Sequence, residues 1–324
     1  MIQDAVNSLA KQTIQDFELI VVDNASTDGS AAKLDLSQLP SASLHVMDDN
    51  LGFAAGNNWA AQRATGKWLL LLNPDTIAEP DWLEQLCLAS FRYPDVKVFA
   101  SSQISLDDPD TLDGVGDAYL VFGFPWRGGF GHPMSAMPGE GECFSPCGAS
   151  AMYDRSTFLA HEGFDERFFC YCEDVDLGYR MQLAGERCVL VPSAVIRHAG
   201  SAISGRHSEF SIYYGTRNRL WTYAKNTPLP LLVLTLPGHL ALTLYILMRS
   251  PVIDRFDATF RGLRDGIEGA GRLRRARTWK VRQRRVSLWR LARTMAWNPW
   301  RMSSRGPCVR PISSPPPLVD SRVK

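Results

Sequence analysis

The segment from residue 164 to residue 180 concentrates groups that can do chemistry: five carboxylates and two arginines among aromatic side chains. Glu173 and Asp174 stand where the pattern turns helical, so they are expected at or near a helix N-terminus. Acidic residues are common caps there, and removing one costs about 0.5–2 kcal/mol. A carboxylate behind Phe168 and Phe169 would also lie in a partly dry site, where its pKa can be tuned for base catalysis. On this segment alone, capping and catalysis both stay open.

The residues that follow predict how this helix is placed. Gly185 is a helix stop, and apolar residues recur at helical spacing before it. Asp176 and Arg180 are four residues apart and are expected to pair on the outer face of the helix. The apolar positions are Leu177, Met181 and Ala184.

Polar side chains also follow three predicted strands. One apolar run ends at Asp23 and Asn24, and the most hydrophobic run ends at Asn73 and Asp75. Open α/β sheets bind ligands at the carboxyl ends of their strands, and the oxygens of such a pair can hold a hard divalent cation. Asx and Pro-Asp turns are equally common there without a ligand. His198 follows a β-type run and precedes a glycine turn, which suits either a structural histidine or the edge of a pocket.

A glycine-rich segment, residues 48–58, is suited to binding an anion. Gly52 and Gly56 permit a ligand to approach the backbone, and the helix that begins here offers free N–H groups. The pattern is not the G-x-G-x-x-G fingerprint of dinucleotide-binding folds. Small residues at the start of the predicted strand 147–153 would admit a bulky ligand in the same way.

Charge is distributed unevenly along the chain. The 324 residues carry a net charge of only +1, yet residues 249–324 hold 19 Lys/Arg and 5 Asp/Glu, against 16 and 29 in residues 1–248. An acidic body with a basic tail indicates that the tail meets an anionic partner. Nucleic acid is disfavoured as that partner because no base-reading module is apparent.

The cysteines are expected to be reduced thiols. Their number, seven, is odd, and no secretory signal opens the chain, so a cytosolic compartment is favoured over one that forms disulfides. A zinc site is disfavoured because the spacings of three residues and one residue fit structural zinc patterns poorly. The cysteines that such a site would use are Cys143, Cys147, Cys170 and Cys172.

Predicted strands alternate with helices through residue 100, which is typical of a doubly wound, mostly parallel α/β sheet. Residues 103–142, rich in Asp, Gly and Pro, are predicted to form surface loops with a short hairpin. The predicted organisation is a catalytic domain at 1–225, an apolar and basic helical region at 226–301, and a disordered tail at 302–324. The predicted strands lie at 17–23, 44–47, 68–72, 96–100, 147–153 and 189–191.

Taken together, these segments resemble the family 2 glycosyltransferases, which have the GT-A fold, and look closest to the rhamnosyltransferase-like branch. The resemblance covers about residues 1–225, and the order and spacing of the motifs make it specific. The matching motifs are Ser8-Leu-x-x-Gln12, Val22-Asp23-Asn24-x-Ser26-x-Asp28-Gly29-Ser30, Asn50-x-Gly52-Phe53-x-x-Gly56-Asn57, Leu72-Asn73-Pro74-Asp75, Gly148-Ala149, Gly163-Phe164-Asp165-Glu166-x-Phe168-Phe169, Glu173-Asp174-x-Asp176-Leu177 and His198.

The resemblance implies a role for each matching position. Asp174 matches the catalytic base, and Asp75 matches a ligand of a divalent cation, Mg²⁺ or Mn²⁺. Asn73 stands where many relatives carry a further aspartate, and His198 matches a position that can complete the metal site. Asp23 would read the nucleobase or ribose of a nucleotide-sugar donor. The implied donor-binding positions are Asp23, Asn24, Asn50, Gly52, Gly56, Asn57, Asn73, Gly148 and Ala149.

The implied activity is inverting transfer of a sugar, such as L-rhamnose from dTDP-rhamnose, to a lipid-linked or cell-surface polysaccharide acceptor. One departure bears on it: the family begins with a strand carrying a Pro-x-Tyr/Phe-Asn-like segment, whereas this chain starts inside the following helix. An interior strand is therefore expected to be missing, which would expose apolar sheet edges. The alternative function is a catalytically impaired nucleotide-sugar-binding or membrane scaffold protein.

The C-terminal third predicts contact with a membrane. Residues 229–248 form an apolar run long enough to span a bilayer as a helix, although its prolines also suit an interfacial or re-entrant segment. The basic stretch that follows carries interleaved tryptophans, which suits anionic lipid headgroups on the cytoplasmic face of the cell membrane. The basic residues are Arg272, Arg274, Arg275, Arg277, Lys280, Arg282, Arg284 and Arg285, and the tryptophans are Trp279, Trp289, Trp297 and Trp300.

Overall fold

The computed structural model describes residues 1–200, 208–251, 254–275 and 285–312. These residues form a mixed α/β structure in which helices cover a central sheet. The strands are β1 (Leu19–Asp23), β2 (Ala42–Val46), β3 (Trp68–Leu72), β4 (Thr76–Ala78), β5 (Val98–Ser105), β6 (Leu112–Val115), β7 (Asp117–Leu120), β8 (Phe124–Arg127), β9 (Gly141–Cys143), β10 (Ser150–Asp154), β11 (Cys188–His198) and β12 (Arg310–Pro311).

The helices fall into two groups along the chain. Of the first five, one precedes the first strand and four lie between strands, and the others follow the last long strand, where they form the C-terminal part. The helices are α1 (Ile2–Ala10), α2 (Gly52–Arg63), α3 (Trp82–Arg92), α4 (Arg155–Ala160), α5 (Glu173–Ala184), α6 (Glu209–Asn226), α7 (Leu229–Arg249), α8 (Phe256–Arg275), α9 (Leu288–Thr294) and α10 (Pro299–Ser304).

The main sheet runs in the order β12-β9-β11-β5-β10-β3, with β4 on β11 and β6 on β5. Strands β5 and β11 are parallel, whereas β10 lies antiparallel between β3 and β5. The α/β class predicted from the sequence is confirmed, but parallel pairing is less extensive than expected. Runs of apolar residues reveal that a strand is buried on both faces, and they carry no information on the direction in which it runs.

Strands β1 and β2 form a separate, two-stranded parallel sheet. Within the described residues, neither of them pairs with β3 or with any other strand of the main sheet. The sequence predicted that the strand ending at Asp23 is buried, but all five of its residues are only half-buried. A two-stranded sheet leaves both of its edges unpaired, so it shields its residues less than a central position would.

The main sheet has a hydrophobic core on each face. Along β5, Val98 and Ala100 pack with α2 and α5, while Phe99 packs with α1 and α3 on the opposite face. This alternation follows from the two-residue period of a strand. Full burial of one large apolar side chain stabilises the fold by about 1.5–3 kcal/mol. The two cores therefore hold the strand ends, and the side chains beyond them, in fixed positions.

A buried ion network joins α5 to α6. Lys225 Nζ lies 2.7 Å from Oδ2 of both Asp176 and Asp165, and Arg180 Nε lies 2.9 Å from Asp176. The predicted Asp176–Arg180 pair is therefore present but faces inward, because α6 covers this side of α5. Burial alone would raise the pKa of Asp176, yet the charges of Lys225 and Arg180 outweigh it and hold that pKa below its usual value.

The C-terminal residues differ from expectation in two places. Disorder was predicted from residue 302, but Arg310 and Pro311 pair with β9, and α10 precedes them. The pairing satisfies backbone groups at a sheet edge, which a Ser/Pro-rich composition does not predict. The apolar run forms one continuous helix, α7, despite Pro237. The most basic stretch, 276–284, and residues 313–324 lie outside the described residues.

The buried ion network predicts a large effect of one substitution. Lys225→Met removes the charge that compensates two buried carboxylates, and breaking a buried pair in this way costs about 3–5 kcal/mol. Urea unfolding at neutral pH measures that loss. The control is Arg261→Met, which removes an exposed pair with Glu209 and is expected to change stability little.

The pH dependence of the same network has a definite sign. Asp165 and Asp176 have depressed pKa values in the folded protein, so their stabilisation is present above the unfolded-state value of 3.8 and is lost as pH falls below it. The difference in unfolding free energy between wild type and Lys225→Met should shrink below about pH 4. A difference that stays constant down to pH 3 would contradict the assignment.

Candidate functional site

The N-terminus of α5 is preceded by a strained loop. Phe169, Tyr171 and Cys172 all have positive φ, at 65°, 69° and 64°, in the left-handed region that non-glycine residues rarely adopt. Asn218 of α6 holds this loop: its Nδ2 lies within 2.9, 2.8 and 2.7 Å of the backbone oxygens of Phe168, Cys170 and Tyr171. Strain of this kind persists only where the surroundings fix it, and it is concentrated at functional sites.

Asp174 is placed by this loop at the start of α5, as the sequence predicted. Its Oδ2 accepts a hydrogen bond of 2.8 Å from the amide of Gly148, and its Oδ1 accepts one of 2.7 Å from Val175. Burial raises the pKa of Asp174 above its usual value, although these hydrogen bonds act in the opposite direction. A half-buried carboxylate with a raised pKa can accept a proton, whereas Asp176, locked between two cations, is unsuited to that role.

Asp75 and His198 meet at the end of the main sheet. Both are almost fully buried, and Asp75 Oδ1 lies 3.4 Å from His198 Nε2. That oxygen has no hydrogen-bond partner among the described residues. An unpartnered carboxylate oxygen facing an imidazole nitrogen fits a divalent cation, and two ligand atoms at this separation can bind one ion. The side chains therefore meet the basic requirement of the predicted metal site.

His198 is oriented by a residue that the sequence analysis did not single out. Asp113 Oδ2 lies 2.6 Å from His198 Nδ1, which leaves Nε2 directed at Asp75. A carboxylate on the far nitrogen of a histidine fixes its tautomer in many metal sites. Burial lowers the pKa of His198, but the carboxylates of Asp113 and Asp75 outweigh it, so the pKa is raised overall.

Arg127 lies beside these acids and was also missed. It pairs with Asp113 and approaches His198 Nδ1 at 3.4 Å. Burial alone would lower its pKa, but Cys147 and the acidic groups of Asp113, Asp117 and Asp174 raise it. The prediction of surface loops for 103–142 was therefore wrong at these positions, whereas the hairpin is present as β7 and β8. The loop-like composition of this stretch gave no signal for Asp113 and Arg127, apart from the presence of a bulky Arg among glycines.

A second cluster, Asp117, Cys147 and Asp174, places three possible ligand atoms within 4.8 Å of one another. Burial raises the pKa of the Cys147 thiol to about 12, so the thiol stays protonated. Hard cations such as Mg²⁺ prefer oxygen ligands, and thiolates suit soft metals. Burial also raises the pKa values of Asp117 and Asp174, whereas the pKa of Asp75 is lowered, so the Asp75–His198 pair offers the more readily ionised carboxylate and fits the predicted cation better than this cluster does. All seven cysteines are free, in agreement with the prediction of reduced thiols.

The predicted donor-binding residues form two groups. In the first, Asn50 Oδ1 accepts from the amide of Gly52, Asn24 Nδ2 donates to Gly52 O at 3.2 Å, and a Cβ at Gly56 would lie 3.1 Å from Asn24. Asn57 follows in the same helix and donates to the backbone of α2. Gly52 has φ +81°, and a side chain there would collide with Phe169. The glycine thus permits the loop 50–52 to pack against the strained loop.

The second group lies at the end of β3. The Asn73 amide donates to Ala149 O at 3.0 Å, and Gly148 is the residue whose amide binds Asp174. Phe53 packs beside Gly148, so it connects the two groups. Asp23 stands apart at the end of β1, where its carboxylate accepts from the amide of Ser26 at 3.3 Å.

Asn218 is expected to control the position of Asp174 through the loop. Asn218→Ala removes the donor that three loop carbonyls share; Arg217 still donates to the carbonyl of Phe168, and leaving an enclosed carbonyl without its donor costs about 1–3 kcal/mol. Turnover with any sugar donor should fall about tenfold, since small displacements of a catalytic group are costly. Asn7→Ala, in α1, is the control. Lost stability with unchanged turnover would show that Asn218 is structural only.

Comparisons with known proteins agree with this geometry. Residues 1–159 match the model of the family described as Glycosyl transferase family 2. The chain is 28% identical over 280 residues to N-acetylglucosaminyl-diphospho-decaprenol L-rhamnosyltransferase of Mycobacterium tuberculosis, covering 75% of this chain and 87% of that protein. It is 33% identical over 163 residues to Rhamnosyltransferase WbbL of Escherichia coli, covering 44% and 58%.

The fold is similar to that of a solved glycosyltransferase. The crystal structure of GalNAc-T7 with UDP, GalNAc and Mn²⁺ superposes with a TM-score of 0.52 at 15% identity, covering 68% of this chain and 46% of that one. At this identity the similarity concerns the fold alone, which is the GT-A fold. The predicted family and fold are therefore confirmed: residues 1–159 form a glycosyl transferase family 2 domain, and the protein is a glycosyltransferase.

Proposed function

We propose that the protein is an inverting rhamnosyltransferase that moves L-rhamnose from a nucleoside-diphosphate-sugar donor to a lipid-linked sugar. The observation that carries this proposal is Asp174, a half-buried carboxylate with a raised pKa at the end of a strained loop. The sugar and the acceptor class come from the relatives, whose names state rhamnosyl transfer and, in one case, a diphospho-decaprenol acceptor.

Asp174 acts as the general base of the transfer. It takes the proton of the acceptor hydroxyl as that oxygen attacks the anomeric carbon, and the nucleoside diphosphate leaves from the opposite face, which inverts the configuration. The Gly148 amide orients the carboxylate through its 2.8 Å hydrogen bond. Asp176 cannot replace it, because Lys225 and Arg180 bind its carboxylate.

Asp75 and His198 would hold a divalent cation at the donor diphosphate. A bound Mg²⁺ or Mn²⁺ supplies positive charge that neutralises the leaving diphosphate. Asp113 keeps His198 in the tautomer that can bind a cation. Arg127, next to this pair, is a fixed positive charge of the protein on the same side of the site.

The donor nucleotide lies along the glycine-rich loop in this proposal. Asp23 reads the ribose or base, and the backbone near Gly52 and Gly56 lies against the donor. Asn24 and Asn50 fix this loop through their contacts with Gly52. The small residues Gly148 and Ala149, with Asn57 and Asn73, complete the cleft between β3 and α5.

A second function has one observation in its favour. The sheet of β1 and β2, which carries Asp23, makes no strand pairing with the main sheet in the described part of the chain. A donor pocket that is not held rigidly to Asp174 would bind nucleotide without transferring sugar, as a nucleotide-sugar-binding or scaffold protein does. Nucleotide binding without donor turnover in the purified protein would favour this function.

The lipid-linked acceptor is delivered along α7 in our proposal, with the protein on the cytoplasmic face of the membrane. Among the described helices, α7 alone is long and apolar enough to cross a bilayer. One face packs on the protein body through Leu231, Thr235 and His239, while the opposite face is apolar and exposed. Such a face fits acyl chains. Its residues, each more than half exposed, are Leu229, Val233, Leu234, Leu240, Leu244, Tyr245 and Met248.

The base assignment predicts a loss of turnover without a loss of donor binding. Asp174→Asn should lower turnover roughly 10²–10⁴-fold, the usual contribution of a positioned acid or base. Because the pKa of Asp174 is raised, the acid limb of the wild-type pH profile should lie above 3.8, and activity should increase as pH rises through it. An equal loss in Asp176→Asn with none in Asp174→Asn would identify the other carboxylate as the base.

The metal assignment predicts a graded effect on cation binding. Asp75→Ala should abolish Mn²⁺-dependent nucleotide binding, and His198→Ala should weaken it, because each removes one ligand of the pair. Titration calorimetry with Mn²⁺ and dTDP measures both. Asp95→Ala, at an exposed surface carboxylate, is the control. Transfer by the intact chain in excess chelator would contradict the whole assignment.

The membrane assignment predicts salt-resistant binding that depends on α7. Val233→Gln, Leu240→Gln and Leu244→Gln together should weaken co-sedimentation with vesicles, since each buried apolar side chain contributes about 1.5–3 kcal/mol. Leu88→Gln with Phe91→Gln, at exposed positions of α3, is the matched control. Apolar burial is not screened by salt, whereas headgroup attraction is screened over about 8 Å. Complete release of wild type by high salt would show that only charges touch the membrane.

A further inference from the structure

Arg219 of α6 is a buried cation that has no anionic partner among the described residues. Its side chain is 3% exposed, and its only hydrogen bond among the described residues joins Nη2 to Thr243 Oγ1 at 3.2 Å. Nη1 is fully enclosed, and no described residue forms a hydrogen bond with it. No carboxylate in the described part of the chain forms an ion pair with it.

This arrangement is costly for the protein alone. Burial lowers the pKa of Arg219 to about 10, and the groups that act against this are the Tyr119 hydroxyl and the Cys172 thiol, both neutral at physiological pH. A buried charge normally has a counter-charge, as Lys225 has with Asp176. A guanidinium kept without one is therefore poised for an anion that the described residues do not supply.

A second unpartnered group lies in the same region. The Tyr119 hydroxyl of β7 is buried and has no hydrogen-bond partner among the described residues. Its ring stacks on Phe144 at 4.9 Å and meets Tyr179 edge-on at 5.2 Å, so it is held in place by packing. Two enclosed groups, one cationic and one a hydroxyl donor, can both bind to the oxygens of one anion.

The neighbours of Arg219 indicate on which side of the candidate site this anion would bind. Cys172, whose thiol lies near enough to affect the pKa of Arg219, is the N-cap of α5 and lies two residues before Asp174. On the other side, Thr243 belongs to α7, whose outer face is apolar and exposed. Arg219 therefore lies between the base and the lipid-facing helix, whereas the donor side has its own cation in Arg127.

We propose that Arg219, with the Tyr119 hydroxyl, binds a phosphate oxygen of the diphosphate that links the acceptor sugar to its lipid. This inference rests on the proposed function, because it takes the acceptor to be lipid-linked. A diphosphate bound here would place the attached sugar toward Asp174 and its lipid chain along α7. The Thr243 side chain and the Phe124 ring, whose centroid is 5.9 Å from Arg219 Cζ, cover the guanidinium and move aside when the anion binds.

The experiment measures binding of farnesyl diphosphate in detergent micelles to the full chain, with dTDP and Mn²⁺ saturating the donor side. Arg219→Met should weaken binding about 10- to 100-fold, the equivalent of a charge-assisted hydrogen bond. Tyr119→Phe should weaken it a few-fold, and Arg219→Lys should restore part of the loss. Arg249→Met, at the exposed end of α7, is the matched control and should bind as wild type does.

Three further measurements make the result decisive. Farnesol, which lacks the diphosphate, should bind equally to wild type and Arg219→Met. Inorganic diphosphate, which lacks the lipid chain, tests whether the site binds free phosphate instead of a lipid headgroup. The melting temperature of Arg219→Met should be unchanged or higher, since removing an unpaired buried charge relieves a penalty. A lower melting temperature with unchanged farnesyl diphosphate binding in both Arg219→Met and Tyr119→Phe would overturn the proposal. Binding of dTDP is read separately, so failure of the donor site is distinguishable from failure at Arg219.

Discussion

The position of the catalytic candidate depends on the hydrogen bonds between Asn218 and the strained loop before α5. Three residues of that loop have backbone conformations that cost about 1–3 kcal/mol each, and α6 compensates them by placing one amide group among three carbonyls. Without this contact the loop would relax, and Asp174 would move away from the amide of Gly148. The same loop packs against Gly52, so it also fixes the position of residues 50–52, which lie against the donor in the proposed function.

The first turns of α5 show how environment separates two identical side chains. Asp174 and Asp176 are two residues apart, yet the pKa of the first is raised and that of the second is lowered. Both are desolvated, and the difference comes from their partners: Lys225 and Arg180 bind the carboxylate of Asp176 directly, whereas Asp174 has the amides of Gly148 and Val175 and only the more distant charge of Arg127. In the proposed function, the first turn of α5 thus carries a proton acceptor, Asp174, and a structural carboxylate, Asp176. The positions of the buried cations decide which carboxylate has which role.

Three buried cations of the protein illustrate the same rule at larger scale. Lys225 is compensated by two carboxylates, and Arg127 lies among the acids of the site. No carboxylate in the described part of the chain compensates Arg219 in this way, and its Nη1 has no hydrogen-bond partner there. It lies between the apolar helix α7 and Asp174, the proposed base. The difference in charge compensation among these three cations therefore indicates where an external anion is expected to bind. In the proposed function, the donor side and the lipid side of the site therefore differ in chemistry, as a transfer between a soluble nucleotide and a lipid requires.

How much of the fold and of the candidate site could be predicted from the sequence depended on how far apart in the chain the interacting residues lie. The start of α5 at Glu173, its end at Gly185 and the apolar helix α7 follow from local periodicity and stop signals, which a single sequence contains. The family motifs identified the fold and brought Asp75, His198 and Asp174 to attention. Their order and spacing along the chain match the motifs of the family, so the amino-acid sequence was sufficient to identify it.

Only the tertiary structure decided the contacts between distant segments. Asp113 and Arg127 lie in a stretch whose composition is that of a surface loop, and they become buried because β5 and β11 bring that stretch against His198. The inward direction of Asp176, the antiparallel insertion of β10 and the pairing of Arg310 with β9 have the same origin. Local sequence determines which residues form a helix or strand, but burial, strand direction and charge compensation arise where elements remote in sequence pack together.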